Sequence, residues 1–318
     1  MRGMTQEVLL GRSGSEAALV QEIDELRKER KAVILAHYYQ PPEIQQIADF
    51  VGDSLQLAQQ AAQTAAEVIV VCGVHFMAES AALLCPDRVV LIPELNAGCP
   101  MADMVEPALL RATKEKMPGA LVVCYINSSA AVKAESDICC TSANAVQVVA
   151  SLPPEKPLLF IPDKNLGHWV QSKTGRKMLF WEGYCPVHHD LSAAEVRIAK
   201  EQYPKAKVLV HPECRPEVIA LADEVFSTAG IIRYVGKTSA QSFIIGTEEG
   251  ILYQLNKQYP ERKFYLASPV LRCHNMKMID LIKLRNTLQT LSPRVLVPEN
   301  IAVAANRSLN RMLALGSF

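Results

Sequence analysis

The sequence has no net charge, few aromatic residues and no long apolar run. Lys and Arg together number 33, as do Asp and Glu, in a chain of 318 residues. That balance gives no general attraction to nucleic acid or to an anionic membrane. No stretch approaches the roughly 20 apolar residues of a bilayer-spanning helix. The start, MRGMTQEVLLGRSGSEAAL, has no basic segment followed by an apolar one, so no secretory signal is expected and the cytoplasm is the expected location. Among nine cysteines there is no C-x-x-C pair of the kind common in structural zinc sites. The odd number, in a large chain without export features, favours reduced thiols over a disulfide framework. Aromatic residues make up only 6% of the chain, but 49% of it is hydrophobic, enough for two or three domains with real cores.

What is present is a threefold internal repeat. A first apolar run occurs at 31–36 (KAVILA), 119–124 (GALVVC) and 205–210 (KAKVLV). A second follows at 68–72 (VIVVC), 158–162 (LLFIP) and 243–246 (FIIG), and a third at 88–93 (RVVLIP), 177–182 (KMLFWE) and 263–268 (KFYLAS). A period this long signifies similar small domains, since solenoid units usually repeat every 20–50 residues. The runs are continuous rather than alternating, which predicts parallel strands covered on both faces. With helix-like stretches between them, they predict an α/β fold of three similar three-layer αβα domains about a pseudo-threefold axis, the active site at its centre. The expected organisation is a leader and helix (1–30, with Leu19, Ile23 and Leu26 on one side), domains over 31–106, 107–190 and 191–278, and a helical tail (279–318) that packs rather than reacts.

Ligands of α/β sheets bind beyond the carboxyl ends of the strands. Each first run here ends in a polar pair spaced i, i+2: His37 and Tyr39, Tyr125 and Asn127, His211 and Glu213. That spacing puts both members on one face of an extended backbone. A lone strand-end histidine is usually structural, but three polar pairs at equivalent positions point to a site. Sixteen residues after each pair begins, a helix is expected to start at Asp53-Ser54, Thr141-Ser142 and Ser227-Thr228. These residue types cap helices. They also mark helix starts where free N–H groups favour an anion, so Ser54, Ser142 and Thr228 are expected to serve both ends.

Cys99, Cys185 and Cys273, 86 and 88 residues apart, each come 8 to 11 residues after the start of a third run. Three thiolates from three domains suit one [4Fe–4S] cluster whose fourth iron has no protein ligand and is open to act as a Lewis acid. The other six cysteines read as buried, apolar-like residues. On this reading the chain is an electron carrier or sensor, a hydro-lyase of the aconitase type, or another enzyme that uses an open iron. The converging Tyr, Asn, His and Glu residues favour an enzyme.

From about residue 31 to 280 the chain resembles the quinolinate synthase family. The resemblance is carried by AHYYQ (36–40), GDSL (52–55), CGVHFMAES (72–80), NAGCPMADM (96–104), YINSSAAVKAESDICCTSANA (125–145), PDKNLG (162–167), WEGYCPVH (181–188), HPEC (211–214), STAGIIRYV (227–235), GTEEG (246–250) and CHNMK (273–277). It implies one [4Fe–4S] cluster per chain on Cys99, Cys185 and Cys273. It also implies condensation of iminosuccinate (iminoaspartate) with dihydroxyacetone phosphate to quinolinate, phosphate and water. Substrate contacts then fall on His37, Ser54, Tyr125, Ile126, Asn127, Ser142, His211, Pro212, Glu213 and Thr228. Glu213 is the expected base, with Tyr39, His37, His211 and His188 as proton carriers or oxygen polarisers. An L-aspartate oxidase or dehydrogenase is the expected supplier of iminosuccinate. Some members carry C-x-x-C-x-x-C at the third cysteine, with a regulatory disulfide; CHNMKM here lacks the extra thiols, so that switch is expected to be absent.

Overall fold

The structure, a computed structural model, describes residues 14–315; the expected leader lies almost wholly outside the described residues. Three four-stranded, fully parallel sheets make up the fold. The first contains β1 (Ala32–His37), β2 (Phe50–Gly52), β3 (Val68–Cys72) and β4 (Val89–Leu91). The second contains β5 (Leu121–Tyr125), β6 (Ile138–Cys140), β7 (Leu158–Ile161) and β8 (Leu179–Phe180), and the third β9 (Lys207–Val210), β10 (Glu224–Val225), β11 (Ser242–Gly246) and β12 (Lys263–Leu266). The spatial order is the same in each: β2-β1-β3-β4, β6-β5-β7-β8 and β10-β9-β11-β12.

The sequence predicts three strands per repeat, and each sheet has four. The unforeseen ones, β2, β6 and β10, are two or three residues long, too short to register as apolar runs. Each is fixed by an aspartate just before it. Asp49 Oδ2 accepts the Ile34 N–H at 2.8 Å, Asp137 Oδ2 that of Val122 at 2.8 Å, and Asp223 Oδ2 that of Val208 at 2.8 Å. The aspartate N–H returns a bond to the carbonyl of the same strand residue. The carboxylate thus takes the place of a strand partner where the neighbouring strand has not yet begun.

Burial explains why the strand sequences do not alternate. In β3 all five residues are buried, with Ile69 and Val71 facing the main core and Val68, Val70 and Cys72 a second one. Residues of opposite parity in β9 and β11 divide in the same way, Leu209, Phe243 and Ile245 toward the main core and Val208, Val210 and Ile244 toward a third. Fully burying each such side chain stabilises by about 1.5–3 kcal/mol. The main core is common to all three sheets, so their inner faces are packed into one body.

The terminal segments close this body. Helix Gly14–Glu29 packs on helix Leu281–Thr290, and Val20, Ile23, Leu284 and Leu288 from the two belong to the second core, against the first sheet. The Pro-bounded link pairs along the β4 edge, with Val295 N–H bonded to the Val90 carbonyl at 2.9 Å, so that edge is covered. Helix Glu299–Ala314 lies against helix Ala130–Ala134 and β6 of the second sheet. None of the described helices is long and apolar enough to cross a membrane.

Candidate active site

The carboxyl ends of β1, β5 and β9 converge on one small cavity of about 50 Å³. His37, Ser54, Tyr125, Asn127, Ser142, His211, Glu213 and Thr228 line it together. Tyr39 lines it as well, and with Asn127, Glu213 and Met276 also faces an adjoining cavity of about 300 Å³. Cys99, Cys185, Cys273 and His188 line that larger space. Of the expected contacts, Ile126 is buried against an apolar pocket shared with Ser54, and Pro212 lines an outer cleft. The side chains of these two residues do not line the central cavity.

The i, i+2 pairs have a local purpose that recurs. The Tyr39 N–H donates to His37 Nδ1 at 3.1 Å, and the Glu213 N–H to His211 Nδ1 at 3.3 Å. For His37, accepting at Nδ1 leaves the hydrogen of a neutral ring on Nε2, whereas His211 Nδ1 also lies 3.3 Å from Glu213 Oε2. Burial, with His211 and Lys277 nearby, brings His37 down to about 3, so it is neutral at neutral pH. Burial also lowers His211, against the pull of Glu213.

In the three pairs the first and second positions divide their tasks, rather than sharing them as the sequence suggests. Asp53 caps the Gln56 N–H and Ser227 the Gly230 N–H. Ser227 Oγ also lies 3.3 Å from Asp53 Oδ2, joining the first and third repeats. In the second repeat Thr141 Oγ1 accepts from the Ala143 N–H, and the helix begins later, at Ala145. The second members, Ser54, Ser142 and Thr228, are thereby left to the cavity. His211 Nε2 and Ser142 Oγ are 3.1 Å apart.

A line of polar groups crosses the site. Thr228 Oγ1 is 2.8 Å from the Tyr39 hydroxyl, which is 2.7 Å from Thr247 Oγ1. Thr247 Oγ1 is 2.8 Å from His188 Nε2, and His188 Nδ1 is 2.6 Å from Glu213 Oε2. The rings of His188 and His211 stack at 4.6 Å. Burial alone would raise the Glu213 carboxyl; His211 and His188 outweigh it and hold Glu213 well below the usual carboxylate range. Burial keeps the Tyr39 and Tyr125 hydroxyls well above theirs, with the Glu213 charge adding to the effect. Glu213 Oε1 and Asn127 Oδ1 are buried without a hydrogen-bond partner. Such atoms are rare in native proteins.

Thr247 was not singled out from the sequence, nor were Asp163, Glu248 and Lys277, although all lie in the quoted PDKNLG, GTEEG and CHNMK stretches. Asp163 Oδ2 accepts the Cys185 N–H at 3.0 Å and Glu248 Oε1 the Cys273 N–H at 3.0 Å. Each carboxylate stands two residues beyond a middle strand, β7 or β11, but the matching position in the first repeat is Val74, so the repeat marks them only in part. Lys277 Nζ is 2.8 Å from Glu248 Oε1 and donates to the Tyr39 carbonyl at 2.5 Å. Gly250 passes so close that a Cβ there would lie 2.7 Å from Tyr39 Cα.

The three cysteines form a coherent donor set. Each precedes a helical turn (Ala102–Met104, Pro186–Asp190, Asn275–Lys277) whose N–H groups reach back to the sulfur. Burial raises all three thiols, Cys99 to about 12, with Cys273 adding to its shift. A buried thiolate there needs a cation to share its charge. Cys185 Sγ, His188 and Glu213 offer ligand atoms within 4.8 Å of one another, so the thiol cavity abuts the acid–base group directly. The family described as "NadA: Quinolinate synthetase A protein" matches residues 21–314. The chain belongs to the quinolinate synthase family. Similar proteins include a quinolinate synthase of Desulforudis audaxviator, 56% identical over 93% of this chain and 98% of its own length. One from Methanosarcina barkeri is 55% identical over 94% and 98%, and one from Dehalococcoides mccartyi (strain CBDB1) is 54% identical over 92% and 96%. Membership makes the chain an enzyme, and its place in NAD biosynthesis is that of a quinolinate synthase. The three-thiol set fits the [4Fe–4S] cluster that this family uses.

Proposed function

We propose that this enzyme condenses iminosuccinate with dihydroxyacetone phosphate to quinolinate, phosphate and water, with a [4Fe–4S] cluster on Cys99, Cys185 and Cys273. The observation that carries the reading is the pair of buried, partnerless acceptors, Glu213 Oε1 and Asn127 Oδ1, facing a cavity ringed by the hydroxyls of Ser54 and Thr228 at two helix starts and of Ser142 in the loop before a third. Ser54, Ser142 and Thr228 hold substrate carboxylates or phosphate, and Asn127 and Tyr125 orient the three-carbon partner. When bound, the cluster supplies an iron without a protein ligand, a Lewis acid for a substrate oxygen.

Glu213 is the base. His188 occupies its Oε2, leaving Oε1 to take a proton from substrate. With Nδ1–H directed at Glu213, His188 Nε2 accepts from Thr247, and Thr247 accepts from Tyr39. This line lets the Tyr39 hydroxyl and Glu213 exchange protons on opposite sides of the cavity, as the isomerisation and dehydrations of ring formation require. Positioned groups of this kind contribute about 10²–10⁴-fold each. The three units 31–106, 107–190 and 191–278 act as one catalytic body in the cytoplasm, and an L-aspartate oxidase or dehydrogenase supplies the unstable imine.

The test is quinolinate formation by anaerobically reconstituted protein, with iron content and visible and EPR spectra on the same samples. Glu213→Gln keeps the cluster and loses at least about 10²-fold in turnover. Cys185→Ser loses cluster and activity, whereas Cys72→Ser and Cys214→Ser, which alter cysteines packed in the second and third cores, keep both. A full cluster in Cys185→Ser overturns the ligand set.

A further inference from the structure

Two clefts on the surface adjoin the substrate cavity, and no cysteine lines either of them. One, of about 350 Å³, shares Asp53 with that cavity, and the other, of about 420 Å³, shares Ser142 with it. Arg233 and Ala143 line both clefts. Arg233 is exposed on the helix Thr228–Lys237 and makes no hydrogen bond or ion pair among the described residues. Lys237 also lines the first cleft and Lys173 the second. The second cleft has no carboxylate in its lining, and the only one in the first is Asp53, buried and engaged as a helix cap. The thiol-lined side differs: Asp190 and Glu248 lie there beside Arg272, which is paired to Glu249. In a chain with no net charge, the positive sign is therefore local to these clefts.

We propose that Arg233 forms an outer anion station, and that anionic substrates (a dicarboxylate and a phosphate monoester) reach the cavity through the Arg233 clefts rather than past the cysteines. The inference rests on the substrates assigned above. The Arg233 charge already acts on the buried Asp53, and an exposed guanidinium lining both clefts raises the local concentration of a dianion and speeds its capture. A single charge some 8 Å from a dianion in water changes that capture about fivefold at low ionic strength, and salt near 1 M, with a screening length of about 3 Å, removes most of the effect.

The experiment is steady-state quinolinate formation by the reconstituted holoenzyme, at low and high salt, with Arg233→Gln, Arg233→Glu and Arg233→Lys. At low salt kcat/KM falls about fivefold in Arg233→Gln, further in Arg233→Glu and little in Arg233→Lys, with kcat within twofold of the parent. The parent's kcat/KM declines with salt and that of Arg233→Gln does not. An Ala143→Trp protein, which narrows both clefts, loses kcat/KM with its cluster spectrum unchanged. Unaltered kcat/KM in Arg233→Gln at low salt overturns the proposal, and so does an equal loss of kcat, which would place the guanidinium in the chemistry. A parent that makes no quinolinate refutes the functional reading instead.

Discussion

Lys277→Met should be among the most damaging single changes outside the cavity lining. Glu248 is fully buried, and the Lys277 side chain is 12% exposed. The ammonium holds both Glu248 oxygens, at 2.8 and 3.1 Å, and the Tyr39 carbonyl at 2.5 Å. Glu248 in turn holds the Cys273 and Gly250 N–H groups. Removing the lysine strands a buried carboxylate, which costs about 3–5 kcal/mol and lowers the melting temperature by on the order of 10 °C. Burial already raises the Glu248 carboxyl, with Lys277 restraining it. Without the lysine it rises further, and the folded state takes up a proton that the unfolded state releases. The deficit is therefore smaller at pH 5 than at pH 8. Thermal unfolding followed by circular dichroism, at both pH values, measures this. The double variant Lys277→Met, Glu248→Gln should recover part of the loss, because the stranded charge is gone. A single variant that melts within 2 °C of the parent, or a double variant that is worse by the sum of the two singles, refutes the reasoning.

Three further outcomes are expected. Thr247→Val interrupts the line between Tyr39 and His188, so kcat falls by about 10²-fold or more with little change in KM, while Thr247→Ser restores most of it; equal kcat in the valine variant removes Thr247 from proton transfer. His37, near 3 when folded against about 6.5 unfolded, binds its proton only in the unfolded chain over that window. Stability is thus lost as pH falls from about 6.5 toward 3, by up to roughly 5 kcal/mol, and urea titrations should show a shallower slope in His37→Gln. Asp137→Ala leaves the buried Val122 N–H without its acceptor and should cost about 1–3 kcal/mol in urea unfolding, more than Asp137→Asn; equal stability of the alanine variant would show that the strand end closes up without it.

The long central strands were legible because burial on both faces leaves nothing but apolar residues: VIVVC is β3 to the residue. The edge strands were not, since Glu224–Val225 has no pattern to read and owes its place to Asp223. The cysteine triad could be found because the repeat aligns three residues of one rare type. Asp163 and Glu248 share a position in only two of the three repeats, with Val74 at the other, and a carboxylate just beyond a strand looks like any loop residue until its N–H partner is known. The capping arrangement was hidden for a different reason. In Asp53-Ser54 and Ser227-Thr228 either member is chemically able to cap, and only backbone geometry decides that the first does so.

The repeated strand ends give the cavity a sense of direction. A ring of three equal arms offers a guest three equal poses. Here the arms end in His37 and Tyr39, in Tyr125 and Asn127, and in His211 and Glu213, and Glu213 is the carboxylate among these six. The charge of Glu213 makes one arm unlike the other two, so a guest with anionic ends meets three unequal poses before any bond changes. The duplicated scaffold supplies the walls, and the divergence of one pair of side chains makes the room chiral to its occupant.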